Sequence, residues 1–222
     1  MLERLRVGPI GENAYIIPAN GDEGDCVLVD PGDEAERIVA LLDSRGLRPS
    51  LIALTHGHLD HIAAIPEVVA AFEARGRRPR VAIHALDACY LGEEGEAANR
   101  ATFAAIRALG YFKHYWRPMP APDLLLEEGS PIPGTSFALI HTPGHTRGSA
   151  CFYDAAAAIL VSGDTLFQDG VGRTDGPDSD GEALARSLER LVALPPATEV
   201  FPGHGEPTTI GRERRSLSGL GG

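Results

Sequence analysis

Residues Thr55–His61 read THGHLDH and follow directly on the apolar run Leu51-Ile52-Ala53-Leu54. Three histidines and one aspartate fall within the six residues His56–His61. In an extended loop, residues two apart point the same way, so His56 and His58 can face one metal ion. Asp60 and His61 open the next helical stretch and point elsewhere, toward a second position. The loop therefore carries two incomplete pairs of metal ligands. Single histidines such as His84, His114 and His141 usually cap a turn or face solvent; the clustered H-x-H-x-D-H pattern does not reduce to that reading.

Working outward, other short apolar runs end in the same residue types. Phe137–Ile140 runs into His141-Thr142-Pro143-Gly144-His145, Ile159–Val161 into Ser162-Gly163-Asp164, and Val200-Phe201 into Pro202-Gly203-His204. Carboxyl ends of strands are where α/β proteins build ligand sites, and adjacent glycines let the backbone turn sharply there. His145 can complete the first pair and His204 the second, with Asp164 bridging. Five imidazoles and two carboxylates suit a pair of divalent ions, zinc first, with iron and manganese as alternatives. Such ions lower the pKa of water and polarise a carbonyl. Asp30, in LVDPG at Leu28–Gly32, reads either as a turn residue or as a carboxylate that orients a ligand.

The chain has 222 residues, 43% hydrophobic and 23% charged, an ordinary globular composition. Apolar runs at Cys26–Val29, Leu51–Leu54, Val81–Ile83, Phe137–Ile140, Ile159–Val161 and Val200–Phe201 read as buried strands. Helices are expected over Asp33–Arg45, with Asp33 and Glu36 as a capping box, over Pro66–Arg75, Ala183–Leu194 and about Glu94–Leu109. Strands alternating with helices indicate the α/β class, and no linker divides the chain, so one domain over residues 1–222 is expected. The formal net charge of −11 argues against a nucleic-acid or anionic-membrane surface. Cys26, Cys89 and Cys151 form no paired framework, and Met1–Ile17 carries no signal-peptide apolar core; the expected location is the cytoplasm.

Five stretches together resemble the metallo-β-lactamase-fold hydrolases: LVDPG, THGHLDH, HTPGHTRGS at His141–Ser149, SGDTLF at Ser162–Phe167 and FPGHG at Phe201–Gly205. The resemblance spans essentially the whole chain. It implies an αββα sandwich, two mixed sheets between helices, with the metal site at one edge. It places His56, His58 and His145 on one metal, Asp60, His61 and His204 on the other, and Asp164 between them, favouring His145 over His141. Within the superfamily, GENAYII at Gly11–Ile17, VGRTDGP at Val171–Pro177 and PGHGEPTTIGRE at Pro202–Glu213 are most similar to short glyoxalase II-like proteins. Little sequence follows Glu213, so the helical C-terminal domain of the long enzymes is not expected.

That resemblance implies a metal-dependent thioesterase acting on an S-(2-hydroxyacyl)glutathione or a related small-molecule thioester. Asp60 is then both a ligand and the catalytic residue that orients water and takes its proton. Arg173, nine residues after Asp164, is the candidate for binding a substrate carboxylate, a task suited to the guanidinium fork; the bland reading is a pair with Asp175 or Asp178 that braces the loop. The rival is a persulfide dioxygenase with a mononuclear iron site, which HTPGHT and GRTD also resemble. PGHGEPTT and the full set of ligand positions favour the hydrolase.

Overall fold

The computed structural model describes residues 2–21 and 23–218; the remaining positions of the expected 1–222 domain lie outside the described residues. A six-stranded sheet has the order β1 (Glu3–Val7), β2 (Glu12–Pro18), β3 (Asp25–Val29), β4 (Arg48–Ala53), β5 (Arg80–His84) and β6 (Leu124–Leu126). Its first three strands run antiparallel and β3 to β6 run parallel. A five-stranded sheet contains β7 (Ala138–His141), β8 (Ala150–Asp154), β9 (Ile159–Gly163), β12 (Glu199–Pro202) and β13 (Thr208–Thr209), in the order β13-β12-β9-β8-β7. Between β9 and β12 the chain forms a small hairpin, β10 (Leu166–Phe167) with β11 (Gly170–Val171). The helices are α1 (Ala35–Ser44), α2 (Leu59–Ile62), α3 (Ile65–Glu73), α4 (Gly95–Ala105), α5 (Leu109–Tyr115), α6 (Gly181–Val192) and α7 (Ile210–Ser218).

Period-two alternation along the strands explains the layering. On β3, Val27 and Val29 point into a cluster shared with Leu139, Phe152 and Val161 of the other sheet. Cys26 and Leu28 point the other way, onto Ile38 and Leu42 of α1 and Val68 and Phe72 of α3. On β8, Phe152 faces between the sheets, while Cys151 joins Leu160, Val200, Leu191 of α6 and Ile210 of α7. Both sheets are thus buried on both faces, which gives the αββα sandwich and accounts for nearly continuous apolar strands such as β4 and β5.

Local chemistry departs from expectation at two places. At α1, Asp33 accepts only the neighbouring Glu34 N–H (2.7 Å), and Glu34 occupies the left-handed region (φ 53°), so there is no capping box. The expected helix over 94–109 breaks at Arg107 (φ 60°) into α4 and α5. At the start of the chain, β1 and β2 form an antiparallel pair whose Gly8 and Gly11 (φ 69° at both) make the turn. Among the described residues no helix is long and apolar enough to cross a membrane.

Candidate metal centre

The loop after β4 and the start of α2 carry His56, His58, Asp60 and His61; His145 follows β7, Asp164 follows β9 and His204 follows β12. The structure brings these side chains together. Donor atoms of His56, His58 and His145 lie within 4.8 Å of one another, as do those of Asp60, His61 and His204. Asp164 stands between the two groups: its carboxylate is 3.6 Å from His145 Nε2, 3.3 Å from His61 Nε2 and 3.7 Å from His204 Nε2.

Three of the five imidazoles are aimed from behind. Asp30 sits in the left-handed region (φ 48°) and accepts the Thr55 N–H (2.8 Å), the Thr55 hydroxyl (2.6 Å) and the His61 Nδ1 proton (3.1 Å). With its proton given to Asp30, the Thr55 oxygen accepts from His56 Nδ1 at 3.2 Å. His145 Nδ1 donates to the Arg173 carbonyl at 2.9 Å. These bonds turn the Nε2 atoms of His56, His61 and His145 forward. His58 is turned the other way, with Nδ1 only 2.9 Å from His145 Nε2.

The electrostatics suit cations. Burial, reinforced by neighbouring histidines, holds His56 well below its usual range and His58 down at about 3, so both are neutral at physiological pH. Burial alone would raise Asp60, but the hydrogen bond from His204 and the His61 charge bring it down to about 2. Asp164 is likewise held well below the carboxylate range against its burial, chiefly by His61. His61 and His204 are pushed up, against their burial, by these acids. His56 Nε2, His61 Nε2 and Asp164 Oδ1 are buried with no hydrogen-bond partner. Buried groups of this kind rarely stay unsatisfied, and a divalent metal, taking the place of the His61 proton, is the partner this set of imidazoles and ionised carboxylates fits. The close approach requires glycine: a Cβ on Gly203 would lie 2.3 Å from Asp164 Oδ1 and 2.7 Å from His61 Cε1.

The other candidates divide. Asp30 takes the orienting alternative, holding His61 directly and His56 through Thr55. The Arg173 guanidinium is exposed and doubly bonded to Asp175 at 2.6 and 2.7 Å, while its main chain serves His145. His84 and His141 stack on each other (4.0 Å, 11°) and join neither donor group.

Three residues escaped the sequence reading. Asp87, after β5, accepts the Gly57 N–H (3.0 Å), the Gly148 N–H (2.6 Å) and the Thr146 hydroxyl (2.7 Å), tying the loop of His56 and His58 to that of His145. Asn13 donates its side-chain N–H groups to the Pro202 and Gly205 carbonyls, both at 2.9 Å, and so clamps the loop of His204. Glu12 is buried with Oε1 3.7 Å from His61 Nδ1 and neither oxygen partnered. A Glu-Asn pair opening the otherwise largely apolar strand β2 was the available signal for two of them. Asp87 carried none, because its partners, two main-chain N–H groups and the Thr146 hydroxyl, are remote in sequence.

The donors open onto a cavity of about 350 Å³. Residues 7–204 match the family model of the metallo-beta-lactamase superfamily. The chain is 34% identical to the hydroxyacylglutathione hydrolase GloC of Haemophilus influenzae, over 88% of this chain and 87% of that protein. It is 40% identical to TTHA1623, crystallised in a di-iron-bound form, with a TM-score of 0.80 over 96% of this chain and 98% of that one. The BLEG-1 B3 metallo-β-lactamase is 36% identical, with a TM-score of 0.83 and full coverage of both chains.

Proposed function

Because the chain belongs to the metallo-β-lactamase superfamily, we propose that this metal-dependent hydrolase is a thioesterase of glyoxalase II type, cleaving an S-(2-hydroxyacyl)glutathione or a related thioester. The observation that carries the reading is the pair of donor groups sharing Asp164 at the floor of an open cavity. Similarity to a hydroxyacylglutathione hydrolase over most of both chains supports the substrate class.

His56, His58 and His145 would hold one ion, Asp60, His61 and His204 a second, with Asp164 shared. Zinc is the first choice for such donors, and iron is the metal of the di-iron relative. When bound, the ions supply Lewis acidity that lowers the pKa of water and polarises a carbonyl oxygen. The protein's own groups do the rest. Asp60, ionised throughout the working range, accepts a hydrogen bond from water and fixes its line of approach; a carboxyl at about 2 is a weak base, so its role is chiefly orientation. In thioester hydrolysis the water oxygen bonds to the acyl carbon and gives up its protons to solvent, and the carbon–sulfur bond breaks, leaving a carboxylate. The sulfur leaves as a thiolate, which takes a proton from solvent. A thiol is acidic enough, with a pKa of about 8.5, to leave without a strong acid beside it.

The test is metal analysis of the purified protein with parallel assays of S-lactoylglutathione hydrolysis, persulfide-dependent oxygen uptake and β-lactam hydrolysis. Metal-dependent release of glutathione above the other two activities is the expected result. Oxygen uptake with one iron per chain, or β-lactam turnover outrunning thioester turnover, would overturn the reading.

A further inference from the structure

The walls of the cavity differ from its floor. Ile10 lies in the turn between β1 and β2, Phe103 and Ile106 lie at the end of α4, and Phe167 and Val171 lie on the β10–β11 hairpin; all line the cavity beside the donors. Phe167 stands edge-on to His204, ring centroids 6.3 Å apart, so the apolar surface begins next to the donor set. Ile10 and Val171 are large apolar side chains left 49% and 37% exposed at the mouth. Polar groups on these walls are already engaged. Thr102 bonds to the Ala98 carbonyl and Tyr90, and Arg173, the arginine on the lining, is held by both oxygens of Asp175 through its Nε and Nη2.

Resting on the thioesterase reading, we infer that the cavity takes the acyl side of the substrate, and that this acyl group is apolar and several carbons long. The thioester carbonyl must reach the floor, so one arm of the substrate lies along the walls. Charged carboxylates of a peptide carrier meet mostly apolar wall there, and an arginine whose charge Asp175 already offsets, so they would lose hydration for little return. An alkyl or aryl acyl group gains from the same surface, about fourfold in affinity per buried methylene. The carrier then leaves through the mouth into solvent, where its charges stay hydrated.

The experiment uses the metal-loaded full chain and two probe series. In the first, kcat/KM is measured for acetyl-, butanoyl- and hexanoyl-glutathione; in the second, calorimetry compares binding of the unhydrolysed thioethers S-methyl- and S-hexylglutathione. Both should favour the longer chain by more than tenfold. Ile10→Ser and Val171→Ser, at exposed positions that fold readily, should shrink the preference through KM at unchanged metal content. Flat series in both, or series that neither substitution alters, would overturn the inference while leaving thioester hydrolysis standing. Length-dependent binding without hydrolysis of any thioester would support the apolar wall and sink the thioesterase reading instead.

Discussion

The two halves of the molecule supply the same kind of side chain in opposite ways. The first sheet delivers His56, His58, Asp60 and His61 from one loop behind one strand, and Asp30, just past the end of the neighbouring strand, organises it locally. The second sheet delivers His145, Asp164 and His204 from three separate strand ends, each set only when β7, β9 and β12 are in register. A loop held from behind can pre-form its donors; donors spread over three strands depend on the whole sheet and on clamps from the other half, Asn13 on the His204 loop and Asp87 on the His145 loop. Completing the centre is therefore coupled to docking the sheets, as metal binding is generally coupled to folding.

Removing Asp164 should have the largest effect. Asp164→Ala removes the carboxylate that faces both donor groups, and should lose most bound metal and more than about 10²-fold in activity. His84→Ala, outside both groups, should keep its metal; equal metal contents in the two variants, by plasma mass spectrometry, would dissolve the assignment.

Next come the supports, which set one half against the other. Asp30→Ala frees the His61 ring and the Thr55 hydroxyl and should weaken metal binding by roughly 10- to 100-fold. Asn13→Ala strips two carbonyls of a donor and should destabilise the fold by about 1–3 kcal/mol, with metal loss confined to the position that includes His204. Chelator competition reads the first and thermal denaturation the second. The contrast between halves fails if Asn13→Ala weakens both metal positions equally.

A pH experiment sharpens the role of the inter-half bracket. Burial pushes Asp87 up to about 6 from an ordinary 3.8, against the opposing pull of its three donors. The folded chain then keeps a proton where the unfolded chain has lost it. This stability is fully present below about pH 4 and disappears as the pH rises through 6. The stability of the wild type minus that of Asp87→Asn should accordingly fall between pH 4 and 7, by about 3 kcal/mol at most. A difference that rises with pH would mean that the donors favour the ionised carboxylate over the buried acid.

The smallest effects belong to side chains outside the centre. Cys151 lies in the third core cluster behind β8, where burial pushes its thiol up to about 11, so Cys151→Ser should leave metal content and turnover nearly unchanged. Arg173→Ala should also keep the metal, since His145 is held by the Arg173 main chain rather than its guanidinium. Should KM for a glutathione thioester rise while a small neutral thioester is untouched, the Asp175 pair yields to substrate; equal changes on both make it a brace.

Legibility in the sequence follows the same contrast between halves. THGHLDH showed its ligand character because its donors are adjacent, and the strands before His145, Asp164 and His204 showed because each is an apolar run ending in glycine-rich sequence. The sandwich itself came from motif resemblance; strand alternation by itself does not say which two sheets face each other. The clamps stayed hidden. Asn13 and Asp87 act on main-chain groups brought close only by the fold, and Arg107 breaks α4 from α5 in a stretch of good helix formers. Local propensity loses wherever a tertiary contact decides the backbone.

The most direct test of the shared centre is a metal titration of the apo-protein, following bound metal and thioester hydrolysis together. Two equivalents per chain are predicted, the second restoring most of the activity, with Asp164→Ala unable to hold both. Saturation at one equivalent with full activity would contradict an account in which both halves of the molecule build one two-ion centre.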